Sequence, residues 1–235
     1  MKTELDHLVV MAANLEQGVQ WCEEVLGITP GPGGEHELYG THNRLFKIAT
    51  PDYPMAYLEI IAINTLAVRP KKKQPRRWFD MDDPSLQAAV AQEPRLVHFV
   101  ASTKDLLASR MALRMQAIDR GPAVHANRRT SKGVLHWQIS VRADGQRLFN
   151  GVLPSLIQWG KADAIDPLKL HPRNSLPRSG VSLHSVSVQH PSAEKLQAAY
   201  AAIGLEKVEV REGAANLSAI LKTPKGLVHL QSMGL

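Results

Sequence analysis

LDHLVVM at residues 5–11, RLVHFVA at 95–101 and VSLHSVSV at 181–188 are three short apolar runs at nearly even intervals, each carrying one histidine: His7, His98 and His184. Runs of this length and composition read as buried or half-buried strands. Each then turns into a helix signal. Asn14, with Gln17 three positions on, is an N-cap pattern followed by the apolar stripe Leu15, Val19, Cys22, Leu26 and a stop at Gly27. Ser102 or Thr103 is expected to cap a second helix with Leu107, Met111 and Ile118 on its apolar side. Ser192 is expected to cap a third with Leu196, Tyr200 and Ile203 before Gly204. After every helix come strand-like pieces: 43–49 and 56–63, then 134–141 and 152–159, then KVEVRE, LSAILKT and LVHLQS.

The pattern is a repeated strand, helix and two or three antiparallel strands, which predicts an α+β fold. Tandem βαβββ units form an open mixed barrel with helices outside, and a third, shorter βαβββ-like unit follows. The boundaries read as two units over 1–160, a polar, proline-containing linker over 161–180 and the third unit over 181–235. The odd third unit leaves one apolar sheet face to cover. It either packs on the first two units or meets its copy in a homodimer, and the reading favours the dimer.

With 44% hydrophobic and 21% charged residues, the 235-residue chain is neither disordered nor low in complexity. No apolar run is long enough to cross a membrane and the start carries no secretory pattern, so the expected location is the cytoplasm. The single cysteine, Cys22, excludes an intrachain disulfide and reads as a core thiol. Of the net charge of +6, much sits in RPKKKQPRR at 69–77, separated only by Trp78 and Phe79 from the acidic DMDDP at 80–84. Without interleaved aromatics or a recognition helix, that run reads as solvated surface rather than as a nucleic-acid site.

A strand histidine in each unit and an acid on a last strand resemble the vicinal oxygen chelate superfamily, which includes glyoxalase I, extradiol dioxygenases and bleomycin-binding proteins. More narrowly, DHLVV, the segment 33–45 ending GTHNRL, YLEI at 57–60, RRTSKGVLHW at 128–137 and LPSLIQW at 153–159 resemble the glyoxalase-like domain family. The resemblance implies a cleft holding a divalent metal (Zn, Ni, Mn or Fe) on His7 and Glu59 from the first unit and His98 and Gln158 from the second. Glu59 lies on a strand face between apolar neighbours, where an unpaired carboxylate would cost several kcal/mol, so a compensating group is demanded. By strand parity His7 is expected to share its face with Leu5 and Val9.

Gln158 stands where the family commonly has glutamate, which leaves Glu59 as both ligand and catalytic base. Asn43 and Arg44 are candidates for a substrate carboxylate or phosphate, His36 for a donor on the mobile glycine loop, and Trp137 for the cleft wall. The function implied is a metal-dependent lyase, isomerase or dioxygenase acting on a small oxygenated molecule. The alternative is a metal-free small-molecule-binding module of the bleomycin-resistance kind.

Overall fold

A computed structural model describes residues 2–67, 75–130, 132–160 and 164–234; residues 68–74, most of the basic run, lie outside them. The first unit runs β1 (Thr3–Met11), α1 (Leu15–Trp21), β2 (Glu35–His36), β3 (Thr41–Lys47) and β4 (Tyr57–Ile63). Helix α2 (Pro84–Gln92) lies in the connection, and the second unit runs β5 (Arg95–Thr103), α3 (Leu106–Met115), β6 (Ala123–Thr130), β7 (Gly133–Ser140) and β8 (Ser155–Trp159). After the short α4 (Pro172–Ser175) the third runs β9 (Ser182–Gln189), α5 (Ala193–Ile203), β10 (Glu209–Arg211), β11 (Asn216–Thr223) and β12 (Gly226–Gln231). No helix among the described residues is long and apolar enough to cross a membrane.

Local chemistry explains the boundaries. The Asn14 side chain accepts the Gln17 N–H at 2.8 Å, and Gly27 ends the helical segment at φ 73°. Helix α3 departs from expectation. Asp105, not Ser102 or Thr103, caps it, accepting the Ala108 N–H at 2.9 Å. The buried stripe is therefore Leu106, Ser109 and Leu113, while Leu107 and Met111 are 65% and 49% exposed. Helix α2 carries no strong apolar stripe, yet Asp83 caps it and Pro84 opens it, a start signal that physical chemistry makes sufficient.

The first two units share one eight-stranded sheet in the order β2-β3-β4-β1-β5-β8-β7-β6, curled into an open half-barrel. Strands β1 and β5 meet antiparallel at its centre, and each pairs in parallel with the last strand of its own unit, β4 or β8. The four-stranded sheet of the third unit has the order β10-β9-β11-β12, so its first strand lies between its second and third rather than beside its last.

Each first strand carries an irregularity next to its histidine. In β1, Leu5 pairs with Ala101 and His7 with Val100, which leaves Asp6 as an extra residue. Such a bulge puts two consecutive side chains on one face. Asp6 and His7 therefore both enter the concave side, and Leu5 joins the opposite core instead of sharing a face with His7. In β5, Val97 is the extra residue beside His98; in β9 it is His184, which is exposed.

Two cores follow from the curl. The concave one holds Val9, Ile61, Val100, Ile139 and Trp159. The convex one runs without a break from Leu8, Leu58, Phe99 and Leu156 to Val186, Leu196, Leu217 and Leu221 of the third unit. The Thr3 hydroxyl donates to the Ile203 carbonyl at 2.6 Å and the Leu183 N–H to the Ile48 carbonyl at 2.9 Å, across the same seam. The apolar face for which a second copy was expected is thus covered within the chain.

A shared core makes the three units unfold together. All four tryptophans lie before residue 160, so tryptophan fluorescence reports the half-barrel while far-UV circular dichroism reports the whole chain. The two denaturation curves should coincide, and Leu221→Ala should shift both by about 2–5 kcal/mol. A fluorescence transition untouched by Leu221→Ala would show the third unit to be independent.

Candidate functional site

The β1 bulge delivers a buried carboxylate to the floor of the half-barrel. Asp6 has no exposed surface and takes hydrogen bonds from three parts of the chain: His7 Nδ1 at 2.7 Å, Trp159 Nε1 at 2.8 Å and His171 Nε2 at 3.1 Å. Burial alone would push its carboxyl up, but His171 and His7 outweigh that and hold it well below the ordinary carboxylate range. His171 is fixed in turn, because its Nδ1 accepts the Arg173 N–H at 3.0 Å, which leaves the hydrogen on the nitrogen facing Asp6.

With Nδ1 committed to Asp6 and its ring stacked on Tyr57 (centroids 4.5 Å apart), His7 turns Nε2 into the cleft, 3.6 Å from Glu59 Oε2. Glu59 stands on β4, one strand over, also buried. Asn43 Nδ2 donates to its other oxygen at 2.5 Å, while Asn43 Oδ1 accepts the Gly34 N–H at 2.7 Å, which settles the orientation of the amide. Gly33 must be glycine, since a Cβ there would lie 2.0 Å from the Asn43 carbonyl oxygen. His36 lies edge-on to Trp78, with Nδ1 3.0 Å from Thr41 Oγ1 and Nε2 4.0 Å from Glu59 Oε1. Burial pushes its imidazole down to about 4; Glu59 opposes that shift, and Arg128 and His7 reinforce it.

His7, His36, Asn43, Tyr57 and Glu59 floor a small cleft. Trp78, Phe79, Trp137 and Trp159 contribute aromatic walls, with Leu45, Leu135 and Ile139 between them, and Arg128 of β6 stands at its side. The composition is that of a small-molecule site: mostly apolar walls with a few convergent polar groups.

The structure brings together only part of the expected set. His7, His36, Asn43, Glu59 and Trp137 all line the cleft. His98 does not. Its Nδ1 donates to the Gly151 carbonyl at 2.8 Å and its Nε2 accepts the Ser155 N–H at 3.0 Å, so neither nitrogen keeps a lone pair for a ligand, and burial drives its pKa far down. Gln158 faces the convex side, where its Oε1 accepts the Leu106 N–H at 2.8 Å at the start of α3; Ile157 and Trp159 hold the concave positions of β8. Arg44 is exposed on the convex face, one residue from the inward Asn43 and Leu45.

The ligand set implied by the resemblance, His7, Glu59, His98 and Gln158, therefore does not assemble. Among the described residues no group of three or more His, Cys, Asp or Glu is placed to hold a metal ion. Asp6, His171 and Arg128 escaped the sequence reading. Strand alternation could have found Arg128, which pairs with the inward Leu135 across the β6–β7 hairpin, whereas a bulge has no such signature.

His36 gives a measurable handle on this buried site. Its folded pKa is depressed, so between pH 6.5 and about 4 the unfolded chain binds a proton that the folded chain refuses. Stability should fall as the pH is lowered through that window, and His36→Gln should flatten the slope. In NMR titration the His36 ring should change state near pH 4; a midpoint near 6.5 would contradict the geometry.

A model of the family described as glyoxalase-like domain matches residues 5–204. Among solved structures, the chain is similar to a hypothetical protein from Staphylococcus aureus at TM-score 0.60 and 18% identity, over 98% of this chain and 85% of that one. Methylmalonyl-CoA epimerase of Streptomyces coelicolor, in complex with 2-nitronate-propionyl-CoA, aligns over 67% of this chain and 98% of its own at TM-score 0.41 and 17% identity. The methylmalonyl-CoA epimerase of Mycobacterium tuberculosis aligns over 66% and 87% at 0.38 and 18%. No curated protein matches. With a half-barrel of paired βαβββ units and a family match over most of its length, the chain belongs to the glyoxalase-like domain family.

Proposed function

We propose that the cleft catalyses proton transfer at a carbon next to a carbonyl, as an isomerase or lyase of a small oxygenated compound. The observation that carries this reading is the opposition of two groups with different proton chemistry: Glu59 Oε2 and His7 Nε2 stand 3.6 Å apart on the cleft floor. Each is held from behind, His7 by Asp6 and Glu59 by Asn43. Such a pair supplies a general base and a general acid to one substrate, and the carboxylate behind the imidazole fixes its tautomer and orientation.

The step balances within these residues. Glu59 takes the proton from the carbon; the C–H electron pair becomes the enolate double bond, and the carbonyl π pair moves to oxygen. Protonated His7 donates its Nε2–H to that oxygen. Return of the proton from Glu59 to the neighbouring carbon, with the hydroxyl proton of the first carbon passing to the now neutral His7 Nε2 as its carbonyl forms, gives an isomer. The apolar walls lower the local dielectric around the floor, which strengthens both interactions. No step passes through a metal, because the implied ligands do not converge.

The reaction class can be tested before the substrate is known, by incubating the protein in D₂O with 2-oxo acids, 3-oxo acids and 2-hydroxy ketones and following C–H loss by NMR. Exchange is expected for at least one class. Glu59→Gln should slow it by about 10³-fold and His7→Gln by about 10²-fold, while Asp6→Asn should shift its pH profile. Exchange that survives Glu59→Gln unchanged would refute the assignment; ligand binding without exchange would leave the cleft as a binding module.

A further inference from the structure

The cleft is open on one side. Between the free sheet edges β2 and β6 it continues into a wider groove, and His36, Trp78, Arg128 and Trp137 line both spaces. Arg128 stands at the junction and is the only Lys or Arg side chain on the cleft wall among the described residues. Its side chain makes no hydrogen bond or ion pair among the described residues. A guanidinium held half-buried beside apolar rings, with no acid against it, is a docking point for an anion.

Its position is built rather than incidental. Gly34 lies directly beneath it, and a Cβ on Gly34 would fall 2.4 Å from Arg128 Nη1 and 2.7 Å from its Cδ. The same Gly34 donates its N–H to Asn43, which holds Glu59. One glycine therefore sets both the base and the cation. Flat apolar surfaces flank the junction: Trp78 stacks between Tyr39 (4.2 Å, 17°) and Phe79 (5.2 Å, 14°), and Trp137 leans on Trp159 at 5.9 Å.

The charge balance selects the kind of anion. Glu59 lies on the floor with Asp6 buried behind it, and Glu35 and Glu37 edge the groove, against Arg128 at the junction and Arg129 further along the groove. A dianionic phosphate would meet net repulsion, whereas a single carboxylate is matched by one planar donor fork. We infer that the substrate is a monocarboxylate with a flat apolar group: Arg128 binds the carboxylate, Trp78 and Trp137 flank the flat group, and the reacting carbon faces Glu59. This rests on the proton-transfer reading and names the substrate class for the same site.

The test uses the full chain and three probes in calorimetry: phenylpyruvate, its neutral amide and phenyl phosphate. Phenylpyruvate should bind at least tenfold tighter than either of the others. Arg128→Gln should erase that preference, Arg128→Lys should keep part of it, and Glu59→Gln should leave it intact, since charge recognition does not need the base. Equal binding of acid and amide, a preference that survives Arg128→Gln, tighter phosphate binding, or no binding of any probe would overturn the inference. Exchange of the benzylic C–H in D₂O separates the two claims. Glu59-dependent exchange of acid and amide at equal rates would sink the role of Arg128 alone. An Arg128-dependent binding preference with no exchange would sink the proton-transfer reading alone.

Discussion

A negative charge removed from water governs this molecule. Asp6 is fully buried at a bulge in the central strand, and a carboxylate there is tolerable only if its lone pairs are met. The donors that meet them come from β1 itself, from the end of β8 and from the turn that opens α4. The first unit, the second unit and the segment leading to the third are thereby tied at one atom group. Removing any one donor leaves an uncompensated charge, and that penalty, rather than the strength of each bond, makes the arrangement selective.

The same atom group organises the chemistry. Because Asp6 holds Nδ1 of His7, the imidazole presents Nε2 to the cleft in one orientation, and Tyr57 fixes its plane from beside it. Glu59 needs a separate support, because it lies on a different strand. Asn43 supplies that support from β3, and the Gly33–Gly34 turn holds Asn43. Two chains of contacts, one on the histidine and one on the carboxylate, converge on a gap of 3.6 Å. The convex core is what keeps the strands beneath them in register, and the third unit extends that core instead of adding to the cleft.

How much of this is legible in the sequence depends on whether the signal is periodic. The three βαβββ-like units, the Asn14 cap and the stops at Gly27 and Gly204 follow from apolar spacing and turn chemistry, and the structure has them. Strand alternation puts Glu59 on the same face as Tyr57 and Ile61, as in the structure, because β3 and β4 pair without interruption. Parity failed at Leu5, since one extra residue reverses the face of everything before it. Gln158 and Arg44 were misplaced for a related reason: each lies one residue from an inward position, and a one-residue offset on a strand is a change of side. His171 was invisible because its partner lies far away in sequence, in a segment with no periodicity at all.

The close approach of Glu59 to His7 is itself an argument about purpose. A fold in need only of stability would fill the floor of an apolar half-barrel with aliphatic side chains, as it does at Val9 and Ile61 on the same two strands. Two titratable groups stand there instead, facing each other at a distance too long for a direct hydrogen bond, and each has its outer atoms already satisfied. The inner atoms are left to share a proton with something between or beside them. Arrangements that carry a desolvation cost and leave their inner valences open are those in which a third molecule completes the set, and the aromatic walls around this gap give that molecule its shape.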